Sequence, residues 1–218
     1  LTKTFSDFPD MIAFYETVFG AYPFEAAGAV VADTQLSFAL ETQTLILFGK
    51  DIFVGQTDSE TVIAHELAHQ WFGDSVSLTQ WKDIWLNEGF ATYASMLWLE
   101  HQEGQKAFVQ EMNGYYKIIA NQGTDFVPPG APPKDDLFND SVYLRGAWAL
   151  HALRLKVGDK VFFDIMKTYY DRFKYSNAAT TDFISVASEV SGQDLQEFLN
   201  HWLMDVKVPA KPNQTFLP

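Results

Sequence analysis

Cysteine is absent from all 218 residues. No disulfide can staple this chain, and any metal it binds must be held by histidine and carboxylate ligands. Positive charge is scarce: 15 Lys and Arg stand against 28 Asp and Glu, leaving a net charge of -13. Without a basic stripe to neutralise a phosphate backbone, a nucleic-acid partner is excluded. An excess of carboxylates suits a cationic ligand, such as a free amino terminus, and equally an acidic surface facing water. No apolar run approaches the ~20 residues of a bilayer-spanning helix. No basic-then-apolar leader opens the sequence, which starts at Leu1. The expectation is a processed chain or part of a longer protein, without membrane insertion. Internal repeats are absent as well.

What the chain does have is core material. Hydrophobic residues make up 47%, including 19 Phe, 9 Tyr and 6 Trp, which excludes a disordered chain. Their spacing predicts an α+β fold, a small mixed sheet region followed by a mainly helical lobe. Met11, Ile12, Tyr15, Val18 and Phe19 repeat at helical spacing over Phe8–Phe19, and Gly20 stops the run. Ala29–Ala32, Leu36–Leu40 and Gln43–Phe48 read as short strands. Thr57-Asp58-Ser59-Glu60 reads as a capping box opening a helix to about Trp71, with Gly73 beyond it. Further helices are expected at Ile84–His101, Gln105–Ala120 and near 140–157, 159–173, 180–191 and 193–204. The proline-bearing stretch Thr124–Asp136 reads as a loop. Residues 1–56 thus form a mixed α/β part, 57–208 a helical part and 209–218 a tail.

The chemistry lies on the helix after residue 57. Ile63-Ala64-His65-Glu66-Leu67-Ala68-His69-Gln70 contains H-E-x-x-H. A spacing of four residues is slightly more than one helical turn, so both imidazoles share a face and reach one ion. Glu66 is poorly placed to chelate with them but well placed to take a proton from water activated by a zinc ion. A catalytic zinc needs a third protein ligand. Glu88, within Trp85-Leu86-Asn87-Glu88-Gly89-Phe90-Ala91, opens the next helix and can reach the same ion if the two helices pack as a pair. His101 ends the helix that Glu88 opens, where a cation suits the dipole; His151 and His201 have no acidic or histidine partner at ligand spacing; all three read as structural. Arg145 reads as a partner for a carboxylate or a substrate, or as a helix-surface cation.

The pattern H-E-x-x-H, eighteen residues, then Glu88 in W-L-N-E-G-F-A resembles the M1 aminopeptidases, gluzincins with a thermolysin-like catalytic domain. The resemblance extends to Gly20-Ala21-Tyr22-Pro23-Phe24, to Gln70-Trp71-Phe72-Gly73-Asp74 and to Ser141-Val142-Tyr143-Leu144-Arg145-Gly146-Ala147. It implies that His65, His69 and Glu88 hold one Zn2+, that Glu66 is the general base and that Tyr143 stabilises an oxyanion. Phe38-Ala39-Leu40-Glu41-Thr42 aligns with the family's G-A-M-E-N, which implies that Glu41 grips a substrate's free amino group. Three positions of that motif differ: Phe38 stands for Gly, Leu40 for Met and Thr42 for Asn. The bulk of Phe38 predicts an altered pocket for the first substrate residue. The implied function is removal of amino-terminal residues from peptides with a free N-terminus. A thermolysin-type endopeptidase, an epoxide hydrolase and a non-catalytic zinc-stabilised interaction module use or tolerate the same ligand set. Family members usually carry a β-domain before this region, and some a helical domain after it; neither is legible here. Other domains of a longer parent protein are therefore expected partners.

Overall fold

The structure, a computed structural model, describes residues 5–34, 36, 38–53, 59–122 and 127–213. Helix α1 (Phe8–Phe19) starts with Pro9 in its first turn and ends where Gly20 adopts φ 114°. Its inner face buries Met11, Tyr15, Val18 and Phe19. The chain then enters a small sheet of order β1-β3-β2, built from Gly28–Ala32, Leu45–Gly49 and Ala39–Leu40. Strand β1 pairs parallel with β3, placing Val31 against Phe48. Strand β2 pairs antiparallel with β3, placing Leu40 opposite Leu47. Ile46 and Phe48 point into the core, whereas Leu45 is exposed, as period-two alternation requires.

Helix α2 (Ser59–Ala68) packs chiefly on α3 (Trp85–Glu103). Helices α4 (Gln105–Asn121), α5 (Gly146–Val157), α6 (Asp159–Phe173), α7 (Thr180–Ser191) and α8 (Gln196–Leu203) complete the helical part. Trp71, Trp85, Trp98, Trp148 and Trp202 are almost wholly buried. Burying an indole removes its N–H from water, and that group must find an acceptor. Trp71 donates to Gly20 O at 2.9 Å and Trp98 to Glu60 Oε1 at 2.7 Å. Trp85 donates to Thr180 Oγ1 at 2.8 Å and Trp148 to Met112 O at 2.7 Å. These bonds tie the turn after α2 to the end of α1, α2 to α3, α3 to α7 and α5 to α4. The Tyr15 hydroxyl adds a bond from α1 to Ala64 O at 2.9 Å.

The expected elements recur with instructive shifts. Helix α2 stops at Ala68, short of Trp71, because the next turn tightens: Gln70 N–H bonds Leu67 O and Trp71 N–H bonds Ala68 O. The capping box falls partly on Thr57 and Asp58, outside the described residues, as do Ser37 of the expected strand and 124–126 of the expected loop. The helix expected near 140 begins instead as a π-helical turn, Ser141–Arg145, before α5. Two three-residue strands were not legible: β4 (Val76–Leu78) and β5 (Ser176–Ala178) pair in parallel. Segments that short carry no periodicity, and their pairing is set by the helices they connect.

Candidate metal centre and active site

His65 and His69 leave α2 and its terminal turn on the same side. Their Nε2 atoms lie 3.1 Å apart, and each is 3.3 Å from Glu88 Oε2. Glu88 reaches them from the first turn of α3, as the pairing of α2 with α3 requires. Ligands about 2.0–2.1 Å from a tetrahedral ion stand roughly 3.3 Å from one another. The triangle formed by these donor atoms therefore matches a zinc-sized ion, and two imidazoles with one carboxylate are the right donor chemistry. Among the described residues, these three are the only group that could hold a metal.

Both imidazoles are oriented from behind. His69 Nδ1 lies 3.1 Å from Phe72 O, so it carries the proton and leaves Nε2 free for an ion. His65 Nδ1 faces Thr92 Oγ1 at 3.5 Å. Thr92 lies one turn after Glu88 on α3, and sequence reasoning missed it. The i,i+4 spacing from Glu88 was the available signal, but which face α3 turned to His65 was not readable.

Without an ion, these groups compensate one another. Burial pushes Glu88 up, but the adjacent His69 and His65 reverse this and hold its carboxyl well below the usual range. Burial pushes His69 down, and the Glu88 carboxylate overrides it, raising the imidazole to about 10. The site is thus prepared for positive charge at its centre. Glu66, only 9% exposed, projects into the same cleft. Burial raises its pKa against the opposing effect of His65 and His69, which makes it a stronger base than a solvated carboxylate.

The cleft measures about 840 Å³ and opens beside β2. It is lined by the carboxylates of Glu41, Glu66, Asp74 and Glu88. Exposed aromatics form its rim: Phe38 at 56%, Trp81 at 65% and Phe138 at 57% exposure. Tyr143 enters from the π-helical turn with its ring stacked on His65 at 6.0 Å. Burial, then the carboxylates of Glu88, Glu66 and Glu41, drive its phenol far above its ordinary pKa, so it remains a donor. Glu41 sits just past β2 at the cleft wall, and among the described residues nothing hydrogen-bonds its carboxylate.

Two sequence readings need correction. Arg145 is neither a surface cation nor a cleft residue. It is fully buried, and its guanidinium donates to the carbonyls of Trp202, His201 and Asp205 at 2.7, 3.0 and 2.6 Å. The first two are in the last turn of α8 and Asp205 lies just beyond it, where a cation complements the helix terminus. His201 does have acidic neighbours: Asp205 Oδ2 is 2.7 Å from its Nδ1, and Glu197 is 3.8 Å from its Nε2. This exposed cluster lacks a third close donor atom. His101 stacks on Phe14 at 4.5 Å, and His151 is buried beside Tyr93, both as structural residues.

A close helix crossing sets the distance between Glu88 and Tyr143. A Cβ added to Gly89 would lie 2.9 Å from the Gly146 backbone and 3.2 Å from Val142 O. Gly89 follows Glu88, and Gly146 ends the turn carrying Tyr143. Gly89→Ala should therefore cost about 1–3 kcal/mol by overpacking. Denaturant titration measures that loss, and an unchanged midpoint would show that the crossing has slack.

Residues 4–202 match the peptidase family M1 domain, and the chain belongs to that family. It is 30% identical over 219 residues to Aminopeptidase N of Lactococcus lactis subsp. lactis, covering 92% of this chain and 26% of that protein. Identity to Aminopeptidase 2, mitochondrial, of Saccharomyces cerevisiae is 28%, covering 91% of this chain and 23% of that one. Among solved structures, an M1 zinc metallopeptidase from Deinococcus radiodurans bound to a Tyr-Ser-Ala substrate superposes with a TM-score of 0.84. The identity there is 33%, over 94% of this chain and 45% of that chain. The chain thus spans only about a quarter of the length of these aminopeptidases. No helix among the described residues is long and apolar enough to cross a membrane.

Proposed function

We propose that this chain is a zinc-dependent metalloaminopeptidase region that hydrolyses the first bond of peptides with a free N-terminus. The observation that carries the proposal is the triangle of His65, His69 and Glu88 donor atoms, spaced 3.1–3.3 Å, beside a buried Glu66. A zinc ion held by those three residues supplies a Lewis acid that polarises a carbonyl and acidifies water. Glu66 takes a proton from the attacking water as its oxygen adds to the scissile carbonyl carbon. The tetrahedral intermediate places negative charge on the former carbonyl oxygen, and the Tyr143 hydroxyl donates a hydrogen bond to it. Glu66 then passes its proton to the departing nitrogen as the C–N bond breaks.

Restriction to the first residue falls to Glu41. Of the four carboxylates in the cleft, Glu88 is committed to the histidines, Glu66 to proton transfer, and Asp74 accepts from Gln70 at 2.8 Å. Glu41 remains free to accept from a substrate ammonium. The aromatic rim supports apolar residues at the ends of the bound peptide. A peptide and its N-acetylated form, assayed with the zinc-loaded chain, test this directly. Only the free form should be cleaved, and Glu41→Gln should lower its kcat/KM about 10- to 100-fold, the loss of a charge-assisted hydrogen bond. Equal cleavage of both forms would replace this reading with an endopeptidase.

A further inference from the structure

Gln70 follows the second histidine and is fully buried, yet nothing in the proposed chemistry uses it. Its amide spends every one of its groups. Nε2 donates to Glu41 O at 3.1 Å and to Asp74 Oδ2 at 2.8 Å. Oε1 accepts from Thr44 N–H at 2.8 Å and faces the Tyr22 hydroxyl at 3.2 Å. The Glu41 carbonyl can only accept from the amide nitrogen, and the Thr44 N–H can only donate to the amide oxygen. The orientation of the amide is therefore fixed.

Glu41 and Thr44 bracket the tip of the hairpin between β2 and β3. That tip is held in an unfavourable shape, because Thr44 has φ 66° although it is β-branched. Such a conformation persists only where its surroundings over-determine it. Within the tip, the Thr42 hydroxyl bonds Leu45 O. From outside, Gln70 grips both ends of the tip at once, one through a carbonyl and the other through an amide. We infer that Gln70 is a positioning residue: it clamps the Glu41–Thr44 tip to the metal-bearing helix and so sets Glu41 at a fixed distance from the metal centre. The inference rests on the proposed role of Glu41 as the amine acceptor.

Gln70→Leu in the zinc-loaded chain tests it, with Gln70→Met as a second apolar replacement should the branched side chain prevent folding. Hydrogen exchange at the Thr44 amide reads the clamp without any turnover, and it should speed up about tenfold as one buried hydrogen bond is lost. Zinc stoichiometry should stay at that of the unmutated chain. Affinity for L-leucinol, a free amine with no carbonyl to attack, should fall about tenfold, while N-acetyl-L-leucinol binding stays unchanged. For a cleavable peptide the loss should appear in KM rather than kcat. In a Glu41→Gln background, Gln70→Leu should cost no further amine affinity, since the effect runs through Glu41. Unchanged Thr44 exchange would overturn the clamp. Faster exchange with unchanged amine affinity would overturn the positioning. Failure of the aminopeptidase reading itself is seen separately, as cleavage of N-acetylated peptide by the unmutated chain.

Discussion

Glu66→Gln is expected to keep its metal and lose turnover by about 10²–10⁴-fold. The amide has nearly the shape of the carboxylate but no affinity for a proton near neutral pH, so the attacking water keeps its proton. The departing nitrogen also loses its donor. Metal binding should be spared, because none of the three donor atoms that approach within 3.1–3.3 Å of one another belongs to Glu66. Folding should be spared too. Burial disfavours the Glu66 carboxylate, and a neutral isostere removes that penalty. Metal analysis and steady-state kinetics on the same preparation check the prediction. Retained activity would remove Glu66 from the mechanism. Loss of metal would show that the carboxylate acts on the site's electrostatics rather than on the proton.

The residues of the proposed metal centre were legible because each is bound to a pattern. His65 and His69 are fixed by helical period, and Glu88 by the need for a third ligand at the start of a partner helix. Their supporting groups were not legible. The Phe72 carbonyl that orients His69 is backbone, and any residue type could stand there. Thr92 reaches His65 only because α3 presents that face. Gln70 looked like part of a motif, whereas its hydrogen-bond partners lie on a hairpin distant in sequence. Arg145 shows the opposite failure. A cation two residues from Tyr143 suggested a carboxylate or substrate partner or a helix surface, but the π-helical turn sends its guanidinium to the end of α8. Where one extra residue enters a turn, faces inferred from a period of 3.6 no longer hold.

Glu88→Ala is expected to lower zinc affinity by more than the about 10–100-fold typical of losing an outer partner, because a direct ligand is removed. It should also change how affinity depends on pH. In the metal-free chain His69 holds its proton to about 10, because the Glu88 carboxylate opposes the effect of burial. An ion must displace that proton, so apparent zinc affinity should rise with pH by up to about tenfold per unit across the neutral range. Without Glu88, burial dominates and the proton leaves His69 at lower pH, so the same range should become nearly flat. Stability follows with a definite sign. Glu88 has a lowered pKa, so its contribution is present above about pH 4.3 and is lost as pH falls below that value. His69 has a raised one, so its contribution is present below about pH 6.5 and fades as pH rises toward about 10. The metal-free site therefore stabilises most between those limits, whereas zinc stabilises increasingly above them by mass action. Melting curves with and without zinc across this range check both signs. Parallel pH profiles for the variant and the unmutated chain would show that Glu88 does not set the protonation of His69.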